Sequence, residues 1–311
     1  IMNKIVFFNH YHRGDLHTSK EFVRQVIDNL PNVEIEYWHE NPEILLKDLN
    51  IKPSQQKTPV LCDKQKALLK TNDTLYVNTW VGCQWDIFCK HGGINMNTFY
   101  EQWGMLFKGI NKFFNSSLKL HKSKEKYLPK INYDMINKDA KESIDDYIDN
   151  NKKYVLICNN IPNSVQSFYW PIDDIIIEAA EEYSDINFIC TNPIDGSIPG
   201  NIDYTSSICN ITKDTDLQEI SYLSTKCDVI VGKNSGPYVF CETYDNYMDK
   251  NKRFLSFNKK HDDYFMIKET MSKDLKIKAD YTTIPILDIE NPNVTDKGNI
   301  RNALHNILKD L

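Results

Sequence analysis

The stretch KIVFFNHYHRGDLHTSKEFVR, residues 4–24, sets the reading of the whole chain. Ile5-Val6-Phe7-Phe8 is an apolar run of the length of a buried strand. Asn9-His10-Tyr11-His12-Arg13-Gly14-Asp15 is a polar tip. Phe22, Val23, Val26, Ile27 and Leu30 then share one side of a helix, with Thr18 or Ser19 as its N-cap. Strand, loop and helix in that order form the repeating unit of an open α/β sheet. In such sheets ligands gather at the carboxyl ends of the strands, where loops of this kind sit.

The same alternation returns along the chain. Residues 33–38 (VEIEYW) alternate at period two and read as a second strand. Residues 43–49 read as a short helix, 52–59 (KPSQQKTP) as a polar loop and 74–80 as a third strand. Residues 95–120 are helical and rich in aromatics (Phe99, Tyr100, Trp103, Phe107, Phe113, Phe114), a spacing that marks burial. Residues 121–152 are charged and short of large apolar clusters, so a solvated connection and a domain boundary near Asn150 are expected. A second series follows: strand 153–158, the loop Asn159-Asn160-Ile161-Pro162-Asn163, helix 172–183, strand 187–191, helix 217–225, strand 227–232, helix 238–244 and strand 253–257. Residues 299–311 form an amphipathic helix. Strands separated by helices imply parallel sheets.

Bulk properties narrow the class. A chain of 311 residues exceeds one average domain, so two are expected. Hydrophobic content of 41% with 26% charged residues suits a folded protein rather than a disordered one. A net charge of -6 and the lack of a Lys/Arg stripe argue against duplex nucleic acid as the main partner. No apolar run reaches the length of a membrane span and no signal-peptide layout is expected; Ile1 ahead of Met2 reads as an addition outside the fold. The eight Cys are scattered with no CxxC pair, so structural zinc is not expected. Cys158, Cys190, Cys227 and Cys241 lie in or beside apolar runs, as small buried hydrophobes in a reducing, cytoplasmic compartment would.

Two loops carry candidate chemistry. His12, Arg13 and Asp15 combine groups that bind an anion with one that removes a proton. His10, His12 and His17 are potential metal ligands, yet no Cys/His cluster completes them, and no metal site is assigned. The second loop, Gly232-Lys233-Asn234-Ser235-Gly236-Pro237, joins a buried strand to a helix with Pro near its first position. Backbone N–H groups there suit an anion, commonly a phosphate, with Ser235 and Lys233 as further donors. Each loop alone also reads as an ordinary turn. Together, a general base and a phosphate cradle are what group transfer from a nucleotide-activated donor requires.

Three segments also resemble a family. HRGDLHTSKEFVRQVIDNLPNVEIEYW (12–38), YVLICNNIPNSVQSFYWPIDDII (154–176) and LSTKCDVIVGKNSGPYVF (223–240) are similar, in order, to signatures of the ADP-heptose:lipopolysaccharide heptosyltransferases, glycosyltransferase family 9, and their relatives. The resemblance implies an α/β chain of GT-B fold, two Rossmann-like domains whose parallel sheets face an interdomain cleft. It implies residues 1–150 as the acceptor-side domain, 151–295 as the nucleotide-sugar-binding domain and 296–311 as a helix crossing back to the first. Asp15 would be the base and Gly14 would let the backbone turn close to the ligand. Arg13, His12, Asn159, Lys233, Asn234, Ser235 and Gly236 would hold the donor. The family's basic residue before Trp-Pro stands here as Phe168, its His after the phosphate turn as Val239, and its Asp in the turn as Asn234. His12-Arg13-Gly14-Asp15 is also similar to the H-x-R-R-G-D motif of GT-B fucosyltransferases.

The activity so implied is an inverting, metal-independent transfer of a sugar from a nucleotide diphosphate donor to a hydroxyl of a glycan, protein or other acceptor, with no cofactor. A nucleotide-sugar epimerase or hydrolase on the same fold, and a catalytically silent sugar-binding protein, are the alternatives.

Overall fold

The computed structural model describes residues 3–9, 13–39, 48–49, 51–54, 66–93, 95–160, 171–210, 216–233, 235–259, 275–286 and 294–311. Most of the short helix expected over 43–49 lies outside them, as do His10, His12, Phe168 and Asn234. The chain forms two compact units, Ile1–Ile131 with Tyr264–Lys276, and Asn132–Asp263 with Ile277–Leu311.

In the first unit β1 (Lys4–Phe8) leads into α1 (Arg13–Asn29), followed by β2 (Glu34–Trp38), β3 (Lys52–Ser54), β4 (Leu68–Lys70) and β5 (Thr74–Asn78). A 3-10 turn (Val81–Cys83), α2 (Trp85–Lys90) and α3 (Met96–Phe114) complete it, with a second 3-10 turn at Lys124–Tyr127. The sheet order is β3-β2-β1-β5-β4, parallel except for β4 against β5. β1 lies in the middle with Ile5 to Phe8 buried, which is why its apolar run is continuous rather than alternating. Phe99, Trp103 and Phe107 of α3 join the core, as their spacing predicts, whereas Tyr100, Phe113 and Phe114 are half-buried. Phe22 of α1 stacks on Trp103 at 5.9 Å and meets Phe107 at 4.9 Å. The side chain of Asn95 caps α3 by accepting from the amides of Asn97 and Thr98.

In the second unit α4 (Lys138–Tyr147) precedes β6 (Lys153–Cys158), α5 (Asp173–Glu182), β7 (Ile186–Cys190), β8 (Ile202–Tyr204) and α6 (Thr205–Ile208). Then come α7 (Leu217–Lys226), β9 (Val229–Gly232), α8 (Gly236–Cys241), α9 (Tyr244–Met248), β10 (Arg253–Lys259), β11 (Asp280–Ile286) and α10 (Val294–Leu308). All six strands are parallel in the order β11-β10-β9-β6-β7-β8. Counted from β6, this is the 3-2-1-4-5-6 order of dinucleotide-binding sheets. The expectation of two Rossmann-like α/β units therefore holds, with one antiparallel edge strand in the first.

Two expectations are corrected. Residues 132–150 belong to the second unit, so the boundary falls at 131/132 rather than near Asn150. Helix α4 is anchored there by buried Ala140 and Ile144, by Ser143 Oγ on the Ile208 carbonyl at 2.6 Å and by Tyr222 Oη on Asp145 at 2.7 Å. With two buried apolar positions its stripe is too narrow to stand out in sequence. Likewise the helix expected to cross back to the first domain, α10, is part of the second unit's core. Ile300, Leu304, Ile307 and Leu308 join the core with Ile175, Ile176, Leu255 and Phe257. Along its exposed side, Lys297, Arg301 and His305 pair with Asp174, Glu178 and Glu182 of α5.

Gly232, the last residue of β9, is fixed by close approach. A Cβ there would lie 2.8 Å from Cys158 Cβ, 2.9 Å from a ring carbon of Tyr238 and 3.1 Å from the Cys158 carbonyl. Gly232→Ala is expected to cost about 1–3 kcal/mol, as overpacking does, measured as a lower midpoint in urea at unchanged m-value.

Candidate functional site

At the carboxyl end of β1 the chain turns into α1 earlier than the spacing predicts. The N-cap expected at Thr18 or Ser19 does not form, because both residues are buried inside the helix. Leu16 extends the buried stripe of Phe22, Val23 and Val26 back by one turn, so the helix starts at Arg13. Arg13, Gly14 and Asp15 thus form its first turn. Gly14 is helical and absent from the glycines of left-handed backbone, so no special turn depends on it.

Asp15 is 6% exposed. Burial pushes its carboxyl up to about 7, opposed by the nearby Asn9 side chain. Its charge is felt by Tyr37 and Cys83, which brings the ends of β2 and β5 into the same cluster. Tyr37 Oη lies 2.5 Å from Thr79 Oγ1, and the amide of Thr79 donates to the Phe8 carbonyl at 3.0 Å. Burial pushes the Cys83 thiol up to about 12, so it is no nucleophile. Gln102 of α3 closes the cluster, donating to the Trp80 carbonyl at 3.1 Å and to Cys83 Sγ at 3.5 Å. A carboxyl held near neutrality at a strand end can accept a proton at physiological pH and release it again.

In the second unit β6 and β9 are neighbours, with Cys158 opposite Gly232. The loops leaving them meet: Ser235 Oγ donates to Asn160 Oδ1 at 2.9 Å. Ser235 is the N-cap residue of α8, but its side chain makes no capping bond and points to Asn160 instead. Pro237 occupies the first turn, as the spacing predicts. Helix α8 is only six residues long, so the side chains of Lys233 and Ser235 matter more to an anion here than any helix dipole. Lys233 is buried, and burial lowers its ammonium to about 8.

The sequence-named residues thus fall into two groups. Asp15, Arg13 and Gly14 stand at the start of α1, and Lys233, Ser235 and Gly236 at the β9–α8 turn. His12 and Asn234 lie outside the described residues. Asn159 stands beside the second group, but its side chain is spent bridging β6 to β7. It donates to the Asn192 carbonyl at 2.9 Å and accepts from the Asn192 amide at 2.9 Å. Two further residues emerge only from the structure, Asn9 beside Asp15 and Asn160 beside Ser235. Each is an asparagine at the end of an apolar run, which is the one signal that could have marked them. Among the described residues no group of three His, Cys, Asp or Glu could hold a metal ion, and no helix is long and apolar enough to cross a membrane.

Solved structures of similar architecture exist. A glycosyl transferase family 9 protein from Veillonella parvula matches 99% of this chain and 98% of its own at a TM-score of 0.47 and 10% identity. The E. coli heptosyltransferase WaaC, solved with ADP-2-deoxy-2-fluoro heptose, matches 99% of each chain at a TM-score of 0.48 and 9% identity. A UDP-N-acetylglucosamine 2-epimerase assigned in Listeria monocytogenes matches 99% of this chain and 88% of its own at 0.48 and 10%. No protein-family model matches the chain, and the search of curated proteins finds no match.

Proposed function

We propose that the protein transfers a sugar from a nucleotide diphosphate donor to an acceptor hydroxyl, with Asp15 as the general base. One observation carries the reading. The turn after β9 and the loop after β6 meet at the reversal of strand order in a 3-2-1-4-5-6 parallel sheet, the place where such sheets bind nucleotides. In the first unit Asp15 follows β1 at the corresponding reversal, between β1 and β5.

In this mechanism Lys233, Ser235, Asn234 and the backbone at Gly236 hold the donor diphosphate. Asn159 braces the loop beside them, and Arg13, His12 and Gly14 supply further donor contacts. An approaching diphosphate restores full charge to Lys233, which neutralises the leaving group without a metal ion. Asp15 takes the proton from the acceptor hydroxyl as its oxygen attacks the anomeric carbon. The nucleoside diphosphate leaves from the opposite face, so configuration inverts. The acceptor is a glycan, a protein or another hydroxyl compound, and the reaction belongs to the cytoplasm.

A thermal-shift screen against nucleotide diphosphate sugars tests the reading, because a ligand of the native state raises the melting temperature. At least one donor should stabilise the protein. Ser235→Ala should weaken that donor roughly tenfold or more, the loss of one hydrogen bond to a charged group. If no nucleotide diphosphate sugar stabilises the protein, the proposal fails. Consumption of the donor without an acceptor would instead identify a hydrolase or an epimerase.

A further inference from the structure

We propose that the first unit carries a basic docking surface for an anionic lipid bilayer, built on the solvent side of α3. The proposal stands apart from the reading of Asp15 and of the donor cradle.

Positive charge is concentrated in one part of the chain. Residues 108–130 hold seven lysines, one glutamate and no arginine, in a chain whose net charge is -6. The fold gathers these lysines further. After α3 the chain turns back and runs along it. Asn111 Nδ2 donates to the Leu118 carbonyl at 2.8 Å, a Cβ on Gly104 would lie 2.9 Å from Leu120 Cδ1, and Lys124 Nζ donates to Asn97 Oδ1 at 2.7 Å. On the other flank of α3 lies β4, whose Leu68 side chain fills the space beside Gly109 and whose Lys70 Nζ stands 5.3 Å from the centre of the Phe113 ring. Trp103, Phe107 and Ile110 take the inner face of the helix.

The face left to solvent carries Met105, Lys108 and Lys112, spaced three and four residues apart. Lys119 and Lys122 border it on one side and Lys70 on the other, and all five lysines are exposed. Among the described residues none of these five ammonium groups pairs with a carboxylate. Glu101, on the same side of α3, is already held by Lys90 at 2.8 Å and His91 at 2.6 Å. Like charges gathered in this way repel one another until an anionic surface lies against them.

The composition of the patch favours a bilayer over a nucleic acid. Arginine forks and open aromatic faces, which grip phosphate and stack bases, are missing from it, and the Phe113 ring is half-buried beneath Lys70. Lysines act as hydrated point charges, which suits a diffuse layer of headgroups. Met105, 41% exposed among them, offers an apolar side chain to the headgroup–acyl boundary.

Flotation of the full chain with vesicles tests the proposal. The protein should float with an equal mixture of phosphatidylcholine and phosphatidylglycerol, stay behind with phosphatidylcholine alone, and be released as salt is raised. Each lysine removed from the patch should weaken binding about fivefold, so Lys108→Ala with Lys112→Ala should weaken it by about 25-fold. Both side chains are exposed, so the melting temperature should not change. Lys152→Ala with Lys250→Ala, which removes the same charge from exposed positions of the second unit, should leave binding as it is. Equal binding to both kinds of vesicle, binding to neither, or equal weakening by the two double variants overturns the proposal. So does a chain that ignores the mixed vesicles but binds mixed-sequence single-stranded RNA through Lys108 and Lys112.

Discussion

Asp15→Asn is expected to lower sugar transfer by about 10²–10⁴-fold, the usual contribution of a positioned general base, while nucleotide-sugar binding stays within about twofold. The substitution keeps the shape of the side chain and removes its ability to accept a proton. The diphosphate contacts are proposed chiefly at the β9–α8 turn, and the variant leaves the neighbouring Arg13 and Gly14 unchanged, so the two readouts separate. Product formation at saturating donor measures the first, and the donor-induced rise in melting temperature measures the second. Full transfer by the variant dismisses Asp15 as base. Lost binding together with lost transfer assigns it to the donor instead. The wild-type rate should rise with pH through the region of 7, where Asp15 gives up its proton.

The second large effect concerns stability and pH, and it centres on Glu242. This carboxyl lies at the end of α8 and is 5% exposed. Tyr247 Oη donates to its Oε1 at 2.8 Å and Tyr281 Oη at 3.4 Å, while Oε2 is buried without a partner among the described residues. Burial pushes the group up to about 8, against the hydrogen bonds of Tyr247 and Tyr281. The folded protein therefore keeps this proton to about pH 8, whereas the unfolded chain releases it near 4.5. Between those values the native state binds more protons than the unfolded state, so stability falls as pH rises and levels off above the window. Glu242 alone is worth on the order of 5 kcal/mol across it. Asp15 adds the same sign between 3.8 and about 7. Above pH 8 the lowered ammonium of Lys233 works in the opposite direction, up to its ordinary 10.5.

Urea titrations from pH 5 to 9 should follow this course. Glu242→Gln should flatten it, matching wild type near pH 5 and exceeding it at pH 8 by several degrees of melting temperature. A variant whose stability runs parallel to wild type throughout would mean that Glu242 is ionised in the fold.

The features legible in the sequence are local ones. The run Ile5 to Phe8, the aromatic spacing of α3 and the Gly232–Pro237 turn each encode their conformation within a few residues. The edge strands β3, β4 and β8 are illegible in the sequence because each has three residues, too few to show a period; β3 forms where 52–59 reads as a polar loop. Thr18 and Ser19 look like caps, whereas α1 starts at Arg13 because Leu16 carries the buried stripe one turn further. A cap is a local preference worth about 1 kcal/mol, and burial against the sheet outweighs it.

The sequence by itself determined the α/β class, the existence of two sheets and the two loops where chemistry is placed. Apolar runs and turn residues report the conformation of their own segment, and little else is needed for those conclusions. Only the tertiary structure decided the strand order that puts each loop at a reversal of its sheet, and the unit to which residues 132–150 and α10 belong. It alone buried Lys20 against Asp48 at 2.6 Å, brought Ser235 to Asn160 across 75 residues and set Asn9 beside Asp15. The environment of a charged or amide side chain is made by segments distant in sequence. Burial and partners together decide whether it is a solvated surface group or a carboxyl poised near neutrality.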